Sequence, residues 1–264
     1  MSLKQSFLLL ALAICLLAQA LMAADKDPQL YIEREGQRKT YTLSELLKEL
    51  PTKDLIYKDP LYGKNKSLRG FPLKSLIEHV KLLANTDEEI VFIATDGYRS
   101  VISVDNKKRI ESAMLVFKDL DLERGWETFD FKKKSITPGP WYLIFEDAGV
   151  HDPVFQVIGI ELVSSELYTS IRPAIDENSY QGFLLFKKHC LKCHSINLIG
   201  GTLGPELNTP QNILDYRDES QLRSFILNPQ SFRARSSMPA FKEILRKGEL
   251  ESILLYLKWN KGKK

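Results

Sequence analysis

The chain has 264 residues, and its 37 Lys and Arg residues outnumber its 34 Asp and Glu residues by only three. Such a near balance gives no case for a nucleic-acid-binding protein, which needs a strongly basic surface. The hydrophobic share of 44% is that of an ordinary globular protein, and the length allows two domains that each bury a core.

Residues 1–24 have the pattern of a secretory signal peptide. Lys4 precedes an apolar run at residues 7–17, and small residues at 18–20 or 22–24 provide cleavage sites. The run is short for a membrane span, so we expect a membrane anchor only if this segment stays uncleaved. The pattern predicts export.

Residues 25–165 are predicted to form an α+β domain that is rich in strands. Runs of β-branched and aromatic residues indicate strands at 89–94, 99–104, 113–117, 141–145 and 155–162. Helices are expected at 42–50, with Thr42 or Ser44 as N-cap, and at 73–84. Residues 95–98 are expected to turn the chain between the first two of these strands.

Short segments of this domain resemble the molybdopterin-binding domain of the sulfite oxidase type. The matching segments are residues 41–47, 70–76, 95–100, 139–141 and 157–162. In that family a cysteine thiolate binds molybdenum, whereas the corresponding stretch here, residues 57–69, contains no cysteine. The sequence also lacks an obvious cluster of arginines and histidines for the pterin phosphate. We therefore expect a relative without molybdopterin, retained as a binding or docking module.

Residues 166–178 contain Pro173 and lack a clear periodicity, so they are predicted to be a linker. A helical pattern resumes at 179–264 and predicts an all-α domain. Its helices are expected from Ser179 to the first motif cysteine, at 220–228 with Ser220 as N-cap, and at 240–259 with a break at Gly248. Helices this short cannot bury a large core alone, and a bound cofactor would supply the missing apolar mass.

The first of these helices leads into Cys190-Leu191-Lys192-Cys193-His194. This CxxCH spacing predicts covalent attachment of one haem c, with both thiols forming thioethers and His194 binding the iron. The remaining cysteine, Cys15, lies in the predicted signal peptide. A disulfide or half of a zinc site are the alternatives, but such close cysteines strain a disulfide and zinc needs further ligands. Because this haem is attached outside the bacterial cytoplasmic membrane, the motif and the predicted export agree on the periplasm.

Residues 179–264 resemble the class I cytochrome c family. Gly182 and Phe186 match the small and aromatic residues at which the first helix of that family crosses the last helix. Tyr256 matches the aromatic partner on the last helix. The resemblance implies that these two helices pack closely.

Two further segments match the ligand loops of that family. Residues 204–207 resemble its Gly-Pro-x-Leu segment, which implies that the carbonyl of Pro205 accepts a hydrogen bond from His194. Residues 237–241 resemble its Met-Pro-x-Phe segment, which implies that Met238 is the second axial ligand.

The methionine count supports Met238 independently. After the signal peptide only Met114 and Met238 remain, and Met114 lies in an apolar run typical of a core strand. Met238 lies on a polar loop, where a thioether has little other reason to be. Ligation by His and Met fills both axial positions of the iron and favours electron transfer over oxygen chemistry.

Weaker candidates for a binding site lie elsewhere in the chain. Asp96, Tyr98 and Trp141 would line a residual pocket of the first domain, although a β-turn with core aromatics is the interpretation we favour. The other histidines are assigned to solvent, to packing or to a turn: His79, His151 and His189. Arginines near the predicted haem site are expected to be solvated: Arg217, Arg233 and Arg235.

These features predict an exported monohaem cytochrome that carries single electrons between periplasmic redox partners, such as a dehydrogenase and a terminal oxidase. The first domain would dock it to a partner, and the chain would be an electron carrier more than a catalyst. One alternative is a two-domain oxidoreductase whose first domain oxidises a small substrate and passes electrons to the haem. Another is a haem-based sensor, which requires Met238 to dissociate.

Overall fold

The computed structural model of the chain describes residues 27–80, 88–131, 134–146, 153–175 and 177–263. The predicted signal peptide, His151 and the end of the helix expected at 73–84 lie outside these residues. Within the described ranges, no helix combines the length and the apolar character that a membrane span requires.

The first part of the chain is rich in strands, as predicted. In order it contains β1 (Gln29–Arg34), β2 (Gln37–Thr42), α1 (Leu43–Glu49), β3 (Lys53–Asp59), β4 (Lys64–Pro72), α2 (Leu73–His79), β5 (Glu88–Ala94), β6 (Arg99–Ser103), α3 (Lys107–Glu111), β7 (Ala113–Asp119), β8 (Phe129–Phe131), β9 (Lys134–Ile136), β10 (Tyr142–Phe145) and β11 (Val157–Ser164). The five predicted strands and both predicted helices are confirmed, with shifted ends. Strands β1 to β4, β8 and β9 and helix α3 were not predicted.

Two sheets share one core. The five-stranded sheet has the order β2-β1-β11-β5-β6, and the four-stranded sheet has the order β10-β7-β4-β3. Phe92 of β5 and Leu115 of β7 belong to the same buried cluster, together with Leu46 of α1 and Leu76 of α2. Because side chains alternate along a strand, the neighbour Met114 lies on the opposite face of the four-stranded sheet, in a second cluster.

Helix α1 begins at a reciprocal cap. The Thr42 hydroxyl accepts a hydrogen bond from the Glu45 amide, and the Glu45 carboxylate accepts one from the Thr42 amide at 2.8 Å. This capping box satisfies amides that the first helical turn leaves unpaired. Of the two predicted caps, Thr42 is confirmed.

The predicted linker is largely structured. A 3-10 helix spans Ser165–Ile171, and its side chains Tyr168 and Ile171 are buried in the hydrophobic core of the C-terminal domain. The Tyr256 hydroxyl donates a hydrogen bond to the carbonyl of Ile171 at 2.8 Å. Periodicity did not indicate this helix because only two of its seven side chains, Tyr168 and Ile171, are buried.

The C-terminal domain consists of short helices with one small hairpin. It contains α4 (Tyr180–His189), β12 (Ser195–Ile196), β13 (Ile199–Gly200), α5 (Ile213–Tyr216), α6 (Glu219–Leu227), a 3-10 helix (Pro229–Ser231) and α7 (Glu249–Asn260). Two expectations are wrong. The N-cap of α6 is Asp218, whose carboxylate accepts a hydrogen bond from the Ser220 amide, so Ser220 lies inside the helix. The last helix begins at Glu249 rather than at residue 240, whereas the predicted break at Gly248, where φ is +89°, is confirmed.

Helices α4 and α7 cross at Gly182. A Cβ atom on Gly182 would lie only 2.0 Å from the carbonyl oxygen of Ser252 on α7, so only glycine fits at this crossing. The rings of Phe186 and Tyr256 lie 5.2 Å apart beside it. The close packing that the resemblance implied for these residues is confirmed.

Candidate haem site

The CxxCH motif forms the turn that follows α4. The amides of Cys193 and His194 donate to the carbonyl of Cys190, at 3.0 and 2.9 Å, and this turn places the histidine directly after the helix. Cys190 and Cys193 are not joined in a disulfide. Burial raises the pKa of the Cys190 thiol to about 12, so this side chain lacks the thiolate that a redox-active cysteine needs.

The His194 ring is oriented by a backbone carbonyl. Its Nδ1 lies 2.7 Å from the carbonyl oxygen of Pro205. Since a carbonyl oxygen only accepts, Nδ1 must carry the proton, and Nε2 keeps a lone pair for a metal ion. Burial lowers the pKa of His194 and thereby favours this neutral form. Gly204 makes room for the ring, because a Cβ there would lie 2.5 Å from the His194 Cε1 atom.

A carboxylate holds the loop that carries this carbonyl, and the sequence did not single it out. Glu206 accepts hydrogen bonds from the amides of Asn197, Leu198, Asn208 and Thr209, at 2.8 to 3.0 Å. Burial acts to raise the pKa of Glu206, but hydrogen bonds from the Ser195 side chain and from backbone amides outweigh burial, and the pKa is lowered. The carboxylate therefore fixes the loop in its charged form.

Met238 lies on a loop that is held through its backbone. The Gln230 side-chain amide donates to the Met238 carbonyl at 2.8 Å, and the Met238 amide donates to the Ser236 hydroxyl. The Met238 side chain is half-buried and packs against the C-terminal core. Met114 is buried in the first domain, as predicted.

A cavity of about 470 Å³ lies next to the CxxCH turn and to the loop that carries Met238, although Cys190, His194 and Met238 are not among the residues that line it. Cys193 lines it, and so do Ser237 and Pro239, the two neighbours of Met238. Phe241 and Ile244 add apolar wall. A large apolar space, two thiols and a histidine with a free Nε2 fit a covalently attached haem.

The weaker candidates divide between this cavity and other places. Asp96 and Tyr98 line the cavity, whereas Trp141 is buried in the core of the first domain. His189 also lines the cavity, and its ring packs edge-on against Phe241, which agrees with the expected packing role.

The remaining candidates take no part in the cavity wall. His79 is exposed, as predicted. The Arg217 guanidinium lies 5.0 Å from the centre of the Phe225 ring, while Arg233 and Arg235 are exposed. Among the residues that the structure describes, no three Cys, His, Asp or Glu side chains come together as a metal site.

Comparison with known proteins identifies the C-terminal domain. Residues 180–261 match the family model described as cytochrome c. No curated protein matches the chain. The chain therefore combines a C-terminal cytochrome c domain, which implies haem c and supports a haem-based electron-transfer role, with a strand-rich N-terminal region.

Proposed function

We propose that the protein is an exported monohaem c-type cytochrome that carries single electrons between periplasmic redox partners. The observation that carries the proposal is the CxxCH turn at the edge of an apolar cavity, with the His194 ring held through Nδ1 by Pro205. The signal-peptide pattern of residues 1–24 supports export.

Each residue of the site has a separate role in this proposal. Cys190 and Cys193 hold the haem through thioether bonds, His194 is the proximal ligand, and Met238 is the distal ligand. The hydrogen bond to Pro205 keeps Nε2 of His194 unprotonated and makes it a stronger donor. Haem c supplies reversible one-electron exchange when bound.

The proposed ligand pair favours a carrier over a catalyst. With a histidine and a methionine in the two axial positions, no position is left open for a substrate or for oxygen. The alternative of a sensor would require Met238 to leave, but hydrogen bonds hold its backbone on both sides.

The first domain is proposed as a cofactor-free relative of the sulfite-oxidase-type molybdopterin-binding domain, retained for docking. The stretch where that family holds its molybdenum ligand forms β3, a turn and β4 in this chain. Two buried charged groups of this stretch, Lys66 and Asp59, have protein partners. Lys66 bonds to three carboxylates, and the Asp59 carboxylate accepts from the Tyr142 hydroxyl.

The first test is the metal and haem content of the full-length protein purified from its native host. We expect one covalent haem, measured as the pyridine haemochrome, together with one iron and no molybdenum per chain. Replacing Cys190 and Cys193 with Ser should abolish covalent haem, while Cys15→Ser is the matched control and should retain it. Stoichiometric molybdenum would instead support the two-domain oxidoreductase, and absence of covalent haem from the wild type would refute the proposal.

A further inference from the structure

The haem cavity is not enclosed by the cytochrome c domain alone. About half of the residues that line it belong to the first domain. Ala94, Asp96 and Tyr98 come from the end of β5 and the turn that leads to β6, and Phe131 and Phe155 come from the region of β8 and β11. The two domains therefore face each other across the cavity.

The turn of the first domain is bonded directly to the haem-attachment loop. The Arg99 amide donates to the carbonyl of Lys192 at 2.8 Å, and Lys192 lies between the two motif cysteines. The Thr202 amide donates to the carbonyl of Gly97 at 3.2 Å. Gly97 has a φ of +85°, and a Cβ there would lie 2.2 Å from the Thr202 hydroxyl, so this approach depends on glycine.

A second contact joins the same elements beside the motif. Lys187, on the last turn of α4, forms an ion pair with Glu89 of β5. The Lys187 ammonium also lies 4.3 Å from the centre of the Tyr168 ring, which belongs to the segment between the domains. Both side chains of the ion pair are largely buried. The contact between the domains is therefore fixed at two places around Cys190 and Cys193.

We infer that the first domain supplies one wall of the haem pocket, with Tyr98, Phe155 and Asp96 facing the haem on the side of Cys193. This inference rests on the proposed function. An apolar wall excludes water and disfavours the ferric state, which carries one more positive charge than the ferrous state. The first domain then helps to set the reduction potential of the haem as well as serving as a docking module. It also keeps external reagents away from the side of the haem that it covers.

The test is potentiometric titration of full-length holoprotein variants, followed by absorption, together with stopped-flow reduction by ascorbate. Tyr98→Ala and Phe155→Ala each remove part of the apolar wall. Each should lower the reduction potential of the haem and speed its reduction by ascorbate several-fold. Asp96→Asn keeps the oxygen that accepts the Tyr98 amide but removes a negative charge, so it should raise the potential. Opposite shifts from neighbouring positions are not expected from general damage to the fold.

Tyr41→Ala is the matched control. Tyr41 packs against the first-domain core from β2, four strand positions from β6 in the same sheet, or roughly 19 Å at the usual strand spacing. It should leave both the potential and the reduction rate unchanged. Haem-loaded Tyr98→Ala and Asp96→Asn proteins with wild-type potentials and rates would overturn the inference. Loss of covalent haem from the wild type would instead overturn the proposed function.

Discussion

The two methionines beyond residue 24 have different surroundings. This difference allows a direct test of whether Met238 binds the haem iron. Met238 is half-buried on a loop beside the cavity, whereas Met114 is 2% exposed inside the first domain. We expect Met238→Leu to keep covalent haem but to open one axial position of the iron. The ferrous protein should then become high-spin and bind carbon monoxide, as measured by absorption spectroscopy.

Met114→Leu is the control for this experiment, because it makes the same substitution in the core of the other domain. A swap of Met for Leu conserves volume and should cost less than about 1.5 kcal/mol of stability. Its spectrum should remain low-spin and insensitive to carbon monoxide. A Met238→Leu protein with an unchanged spectrum would exclude Met238 as a ligand.

A buried lysine makes a second test at the residue scale. The Lys66 ammonium, 1% exposed, lies 2.9 Å from carboxylate oxygens of Asp119 and Asp121 and 2.8 Å from Glu127. Lys66→Met leaves the buried Asp119 carboxylate without its cation and should lower the free energy of unfolding by about 3–5 kcal/mol. Urea unfolding followed by tryptophan fluorescence measures this loss. Lys64→Met removes an exposed partner of Glu127 and should cost no more than about 1 kcal/mol.

The same cluster predicts a pH dependence. Hydrogen bonds from Lys64 and Lys66 lower the pKa of Glu127, and the hydrogen bond from Lys66 lowers the pKa of Asp121. Because both pKa values are lower in the folded protein, the stabilisation is complete above the ordinary values of 4.5 and 3.8 and is lost as the pH falls below them. The difference in unfolding free energy between wild type and Lys66→Met should therefore be largest near neutral pH and shrink below about pH 4. A constant difference across this range would contradict the assignment.

At the scale of secondary-structure elements, the close crossing of α4 and α7 depends on Gly182, which has no side chain. The higher helix propensity of alanine in Gly182→Ala should stabilise α4 by about 1 kcal/mol. The added methyl group, however, would collide with a backbone carbonyl on α7. Overpacking of this kind costs about 1–3 kcal/mol and cannot be relieved by a side-chain rotation, so we expect net destabilisation. Gln181→Ala, at an exposed position of the same helix, should change stability by less than about 0.5 kcal/mol. Thermal unfolding of the two variants compares these effects, and equal stability would show that α7 can move away.

Helices and caps that depend only on residues close together in the sequence were predictable from the sequence. The N-cap of α1 at Thr42 and the helix before CxxCH depend on near neighbours, and both are present as expected. The break at Gly248 was predictable because glycine favours the left-handed backbone found there, but residues 240–247 before it form no helix although apolar residues recur among them. Strands β1 and β2 escaped prediction, although they pair as neighbours in sequence, because only Leu30 and Ile32 of their twelve residues are buried and the apolar pattern is weak.

The residues of the candidate haem site also divide into local ones, which could be predicted, and distant ones, which could not. The motif and loop residues that surround His194 could be found by spacing and resemblance, since they lie within one short stretch of chain. The hydrogen bond from Arg99 to Lys192 joins residues that are far apart in sequence, and neither residue type marks it. Glu206 was missed for another reason, because a carboxylate that accepts four amides looks like any surface glutamate until the loop is folded.

At the scale of the whole molecule, the two domains carry opposite charge. Residues 25–178 contain 22 Lys and Arg against 27 Asp and Glu, whereas residues 179–264 contain 14 against 7. Opposite net charges favour association of the two domains, and salt weakens such long-range attraction because the screening length is about 10 Å at 0.1 M. A close and partly buried ion pair is screened much less. The pair between Lys187 and Glu89 should therefore dominate the coupling of the domains at high salt.

That coupling can be measured with a double-mutant cycle on Lys187→Met and Glu89→Gln, using the free energy of unfolding in 0.5 M salt. Glu89 is more deeply buried than Lys187, so Lys187→Met, which leaves the Glu89 carboxylate unpaired, should cost more stability than Glu89→Gln. The coupling energy between the two residues should be about 1–3 kcal/mol. The exposed pair of Arg223 and Glu251, within the cytochrome c domain, is the matched control and should couple by less than about 1 kcal/mol. If Lys187 and Glu89 hold the domains together, their loss should also separate one cooperative unfolding transition into two. Two independent transitions already in the wild type, with no coupling in the cycle, would mean that the domains fold as separate units and that this ion pair does not hold the cavity closed.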